Sequence, residues 1–176
     1  MSRFWKVALC ICLALVLAAC GQSNEKKYEA AEALVAEGKY DEAITAFEGL
    51  KGFGDSGKYI TYIKCLQLGD SGQYDTAVSS LRTLGEFKEA AFFAIYYTAR
   101  GHEHNQDYET AAAEYRTIAT FQDAAERLEK MPDMILDRDF SSAQGLLDDG
   151  WTDNASYAFQ RLADQQYAGE PDRMLT

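Results

Sequence analysis

Apolar and polar positions along this chain follow two periods at once. Locally the spacing is helical. Ala30, Ala31, Leu34 and Val35 fall at i, i+1, i+4 and i+5, and Ala43, Phe47 and Leu50 at i, i+4 and i+7. At longer range the pattern returns every 34 residues. Tyr40-Asp41-Glu42-Ala43 recurs as Tyr74-Asp75-Thr76-Ala77 and as Tyr108-Glu109-Thr110-Ala111. The same offset superposes Tyr28, Tyr62 and Tyr96, then Ala31, Cys65 and Ala99, then Phe47, Leu81 and Tyr115, then Phe53, Phe87 and Phe121. A fixed period of this length predicts an array in which each unit buries its apolar face only against its neighbours.

The breaks between apolar runs define the unit. Gly38 and Gly72 stand where one helix must end at positive φ, and His104-Asn105-Gln106 is expected to do this in the third unit, with Asn as the substitute for Gly. The following helix begins near Tyr-Asp, with acids in its first turn where the helix dipole favours them. Each unit is therefore read as helix A, a short turn and an antiparallel helix B. The expected fold class is all-α: a helical-hairpin solenoid of about three clear 34-residue units, a degenerate fourth unit and a capping helix. In that fourth unit Asp139-Phe140-Ser141-Ser142-Ala143 reads as helix B, with the period slipping to 32 residues between Tyr108 and Phe140 and Pro132 interrupting helix A. Trp151-Thr152-Asp153 then mimics the Phe-x-Asp turn, and a helix near 154–165 caps the stack. A second parsing places helix A at 140–149 and helix B at 153–165.

These positions resemble the tetratricopeptide repeat family. Its pattern of a small residue in helix A, Gly-x-Tyr, a small residue in helix B and an aromatic four later is met by Ala31, Gly38, Tyr40, Ala43 and Phe47, and again by Cys65, Gly72, Tyr74, Ala77 and Leu81. The third unit supplies Ala99, Tyr108, Ala111 and Tyr115. The match covers residues 25 to about 125. The chain departs from the family at the closing proline: its units end in Phe53-Gly54-Asp55-Ser56, Phe87-Lys88-Glu89-Ala90 and Phe121-Gln122-Asp123-Ala124, whose acids are placed to cap the next helix A.

The first residues belong to a different device. Arg3 and Lys6 precede an apolar run from Val7 to Ala19, shorter than a bilayer-spanning helix needs. The run ends in Leu17-Ala18-Ala19-Cys20-Gly21, which resembles the lipobox of bacterial lipoproteins; an ordinary secretory signal that contains a cysteine is the competing reading. The lipobox implies a lipid on Cys20 and an extracytoplasmic, membrane-anchored domain. The expected division is 1–20 signal, 21–25 tether, 26–170 repeat domain and 171–176 tail. With Cys10 and Cys12 lost alongside the signal and Cys20 lipidated, Cys65 is alone and is read as core packing. The chain's formal charge is −11, or −13 without Arg3 and Lys6. Such an acidic domain offers no electrostatic route to nucleic acid, and anionic headgroups repel it, so the tether alone would hold it at a membrane.

Catalytic chemistry finds little support. Gly52-Phe53-Gly54-Asp55-Ser56-Gly57 matches G-x-G-x-x-G only formally, because it follows a helix and not a strand. His102 and His104 diverge at i, i+2 and have no companion ligands at metal spacing. No cofactor, metal or enzymatic activity is expected. The resemblance instead implies a groove along helix A, with Tyr28, Tyr62 and Tyr96 in a row, Tyr59 and Phe93 beside them, and Leu66 and Arg100 one turn further on. Either those tyrosines bind a partner, or they pack between helices and only their hydroxyls reach solvent. Arg100 is placed either to meet a carboxylate on a ligand or to pair with Glu103. The expected function is a scaffold that binds a protein or peptide in the bacterial cell envelope. The alternative is a lipoprotein that captures a small molecule or glycan.

Overall fold

The computed structural model describes residues 23–169, with side chains through 164. Cys20, the rest of the signal and most of the tail lie outside the described residues. Eight helices and no strand make up the described chain: α1 (Asn24–Ala36), α2 (Tyr40–Gly49), α3 (Ser56–Asp70), α4 (Tyr74–Leu84), α5 (Ala90–His104), α6 (Tyr108–Thr117), α7 (Ala124–Asp148) and α8 (Thr152–Gly169). They form antiparallel hairpins in which each helix packs on its chain neighbours. The first helices of the second and third hairpins, α3 and α5, also touch each other, so the helix A side is the inner side of the stack. The repeat domain begins slightly earlier than expected, because Ser23 caps α1 by accepting from Lys26 N–H at 3.5 Å.

Every A-to-B turn is the same device. After α1, Gly38 N–H bonds the Val35 carbonyl at 3.0 Å and Lys39 N–H the Leu34 carbonyl at 2.9 Å. This pair of reversed bonds closes a helix through one left-handed residue. That residue is Gly38 (φ 72°), Gly72 (φ 85°), Gln106 (φ 62°) and Gly150 (φ 84°) in turn. The third turn thus puts its left-handed residue at Gln106, not at the expected Asn105, which stays at φ −86°.

The fourth member of that series corrects the parsing of the last 50 residues. Gly150 lies 44 residues after Gln106, so the repeat resumes after ten extra residues and does not slip to 32. On that register Phe140 matches Tyr96, Ala143 matches Ala99, Ala155 matches Ala111 and Leu162 matches Ile118. Ala31, Cys65, Ala99 and Ala143 are all at most 1% exposed, as are Ala43, Ala77, Ala111 and Ala155, because each pair marks where helix A crosses helix B most closely. Residues 139–147 are therefore the end of a long helix A, Trp151 belongs to an A-to-B turn, and α8 is the fourth helix B. The second parsing holds for helix B and for the end of helix A, but that helix A begins at Ala124 and not at 140. Pro132 does not interrupt α7. It is exposed, on the outer side of a helix that continues for sixteen residues beyond it.

Two apolar clusters fill the stack. One surrounds Ala31, Phe47, Tyr59 and Ile63; the other runs from Tyr62 through Leu81, Tyr97 and Tyr115 to Met131. Gly69 is needed where α3 meets α5: a Cβ there would lie 2.2 Å from the Tyr97 ring. Cys65 is 1% exposed, packed as expected. Past Met131 and Met134 the fourth hairpin leaves both clusters and carries its own pair, Phe140 against Phe159 at 5.4 Å.

Candidate functional site: a groove along the first helices

An open cavity of about 560 Å³ lies on the inner side of the stack. Its floor is Tyr59, Tyr62 and Leu66 of α3 and Phe93 of α5. Val35 and Ala36 at the end of α1, with Tyr40, close one side; Phe121 and Gln122 of the α6–α7 turn stand opposite. Glu32, Lys88 and Glu89 supply the charged rim.

The helix spacing explains the floor. Tyr59, Tyr62 and Leu66 recur at i, i+3 and i+7, so their side chains share one face of α3. Their rings are nearly covered, at 3–4% exposure, by Phe47 stacked on Tyr59 at 4.5 Å and by Phe87 and Phe93 around Tyr62. The tyrosine row therefore packs between helices, and what it offers the groove is hydroxyl chemistry. Tyr62 donates to Glu89 at 3.1 Å and Tyr59 donates to Glu32. Burial first, then the hydrogen bond to Glu32, pushes the Tyr59 phenol up to about 12; burial and Glu89 push Tyr62 up as well.

Lys88 completes the rim. It sits at φ 49° in the register position that Gly54 and Gln122 fill in the flanking turns. From there its ammonium reaches back across α3 to Glu32 at 3.1 Å and lies 4.9 Å above the Tyr59 ring. Hydrogen bonding to Tyr59 and Glu32 holds the ammonium above its usual range, so it stays charged. The α4–α5 turn is thereby tied to α1, two hairpins apart in sequence.

Tyr28, Tyr96 and Arg100 do not line this cavity. Tyr28 packs edge-on against Phe47, Phe53 and Tyr59. Tyr96 and Arg100 belong to a polar network further along. Tyr96 donates to Asp123 at 2.6 Å, Arg127 bridges Asp123 at 3.0 Å and Glu103 at 2.9 Å, and Tyr115 donates to Glu103 at 2.7 Å. Arg100 donates to Tyr74 at 3.2 Å and Tyr96 at 3.4 Å and lies 4.0 Å from Glu103. It is held by the protein's own groups. Burial opposes ionisation of Asp123, but Tyr96 and Arg127 outweigh it and hold the carboxyl low.

The turn acids do not act as expected. Asp55, Glu89 and Asp123 occupy N-cap positions without any side-chain cap bond, because their backbone (φ near −92°, ψ near 22°) is not extended as a capping residue requires. Glu89 and Asp123 are turned back onto Tyr62 and Tyr96 of the preceding helix A instead. The other candidates are similarly occupied. His102 Nδ1 lies 3.1 Å from Asp107, and Gly52 (φ 85°) and Gly54 (φ 55°) shape the α2–α3 turn. Among the described residues no group of His, Cys, Asp or Glu is placed to hold a metal, and no helix is long and apolar enough to cross a membrane.

No family model, no curated protein and no solved structure matches this chain. Its function is argued from the residues themselves.

Proposed function

We propose that this chain is a tetratricopeptide-like scaffold, anchored through a lipid on Cys20 on the extracytoplasmic side of a bacterial membrane, that binds a protein or peptide of the cell envelope along its helix A groove. The observation that carries this reading is the groove itself: an aromatic floor whose phenol groups are already fixed by acids, open to solvent past a cationic and acidic rim. Such a floor offers apolar area at little entropic cost, and the rim offers charge for register. Binding, not catalysis, suits a cleft whose acids are all occupied by structural hydrogen bonds. The lipobox-like Leu17-Ala18-Ala19-Cys20 supports the anchor. A second reading, capture of a small molecule or glycan, is favoured by the cavity's 560 Å³, within the range of about 300–1,000 Å³ that small-ligand sites occupy.

Crosslinking from native membranes with the full chain separates the two. The variants are Ala36→Arg and Gln122→Glu, both at exposed lining positions, so folding is preserved. A protein captured by the parent chain and lost with both variants supports the scaffold. A protein retained by both places the interface elsewhere. A small molecule that copurifies with the parent chain and not with the variants supports capture.

A further inference from the structure

The last hairpin exposes what the stack elsewhere covers. Tyr62 and Tyr96, at 4% and 7% exposure, are covered from the next hairpin: Tyr62 by Phe93 of its helix A and Phe87 of the turn before it, Tyr96 by Phe121 of the corresponding turn. Gly69, seven residues after Tyr62, receives the Tyr97 ring. On the fourth register the matching residues are Phe140 and Leu147, and they are 47% and 50% exposed. With Gln144 between them they form one stripe on α7. Beside it, at the same helical spacing, run Asp133, Asp137 and Asp148, all exposed and without an ion pair among the described residues. The cation nearest in sequence, Arg138, is spent on Glu109 at 2.7 Å and Asp139 at 2.8 Å.

We propose that the Phe140–Leu147 face of α7 is a docking site for an amphipathic helix of another protein, which adds to the stack as the next helix A and carries lysine or arginine beside its apolar stripe. The stack supplies the template. The helix that covers Tyr62 and Gly69 presents Phe93 and Tyr97, an aromatic pair at i, i+4. The three unpaired aspartates select the flanking charge. A second copy fits poorly by either route. Two-fold pairing would set Asp133, Asp137 and Asp148 against themselves. Head-to-tail stacking would bring α1, which has Glu25 and Glu29 where α3 has Tyr59 and Ile63. An anionic lipid surface meets the same repulsion. The proposal rests on the stack's geometry and is independent of the groove reading.

The test uses the full chain in detergent and a synthetic peptide copying residues 90–104, with lysines at 96 and 103, which with Arg100 flank the Phe93–Tyr97 stripe. A glutamate version is the control. Titration is expected to show saturable binding of the lysine peptide, about tenfold weaker for the glutamate peptide and for Leu147→Lys, whose site is exposed enough to leave folding intact. Replacing Asp133, Asp137 and Asp148 by Asn should weaken binding about threefold and flatten its salt dependence. No saturable binding, or binding unchanged by Leu147→Lys, overturns the proposal. So does sedimentation showing a dimer that Leu147→Lys dissociates, which would assign the face to a second copy. Protection of residues 140–147 from hydrogen exchange on adding 3:1 phosphatidylcholine–phosphatidylglycerol vesicles would assign it to lipid and overturns it equally.

Discussion

Tyr96 donates its phenol proton to Asp123 at 2.6 Å, and one repeat earlier Tyr62 makes the same bond to Glu89, each across 27 residues. The two copies differ in their surroundings. Asp123 is half-buried and also held by Arg127, whereas Glu89 is exposed. Tyr96→Phe is therefore expected to cost about 1.5–2 kcal/mol and Tyr62→Phe about 0.5 kcal/mol. Urea denaturation of the two variants checks this. Equal losses would mean that burial and Arg127 add nothing to the Tyr96 bond beyond what Tyr62 makes with exposed Glu89.

Gly69 and Gly49 make opposite tests of helical glycine. A methyl at 69 collides with the Tyr97 ring, while a methyl at 49 meets nothing within 4 Å. Gly69→Ala should destabilise by about 1–3 kcal/mol through forced repacking. Gly49→Ala should stabilise by about 0.4–1 kcal/mol by restricting the unfolded chain. Thermal melts of both, read against the parent, decide whether α3 and α5 approach as closely as described.

Acid should loosen the α6–α7 contact. Hydrogen bonds from Arg138 hold the Glu109 carboxyl down at about 2, against an ordinary value of 4.5. A lowered folded value means that the pair's contribution is present above about pH 4.5 and is lost as pH falls toward 2. The stability gap between the parent chain and Glu109→Gln is thus expected to narrow between pH 5 and about pH 2.5. Glu109 is largely exposed, so the gap at neutral pH should stay near or below about 1 kcal/mol. A constant gap across that range would show that the ion pair contributes nothing beyond packing.

Cys65 should resist thiol reagents. It is 1% exposed, and burial raises its thiol above the usual range. Reaction with a disulfide reagent in native buffer is expected at the rate of global unfolding, and in urea at the rate of an open thiol. Fast native labelling would mean that the second hairpin opens locally.

Much of this molecule was legible in its residues, for reasons that differ by position. Ala31, Cys65 and Ala99 could be placed because a close helix crossing tolerates only small side chains, so composition and geometry coincide. Gly38 and Gly72 could be placed because a left-handed backbone favours glycine. Gln106 escaped the same reading because its left-handed backbone costs a non-glycine residue only about 1 kcal/mol, which the fixed turn absorbs. The groove was half legible. Tyr59, Tyr62 and Leu66 share one face of α3, Phe93 repeats Tyr59 on α5, and register found all four, whereas Lys88 reaches Glu32 across 56 residues and leaves no periodic trace. Asp137 and Asp148 read from sequence only as solvated turns and helix ends, because the last register was misread by the ten inserted residues. A small-residue alignment of Ala143 and Ala155 on Ala99 and Ala111 would have found it.

Those ten residues also set a direction. Ten helical steps advance about 15 Å and turn about 1,000°, which leaves the last hairpin some 80° out of phase with the three before it. A strict 34-residue array would carry its groove onward in one sweep. Here the sweep ends at α7, and the molecule becomes an elbow with one arm of three hairpins and a forearm of one. A segment lying along the first arm cannot continue along the second. The groove and the Phe140–Leu147 face therefore point in different directions, so the occupants proposed for them would not compete for one surface.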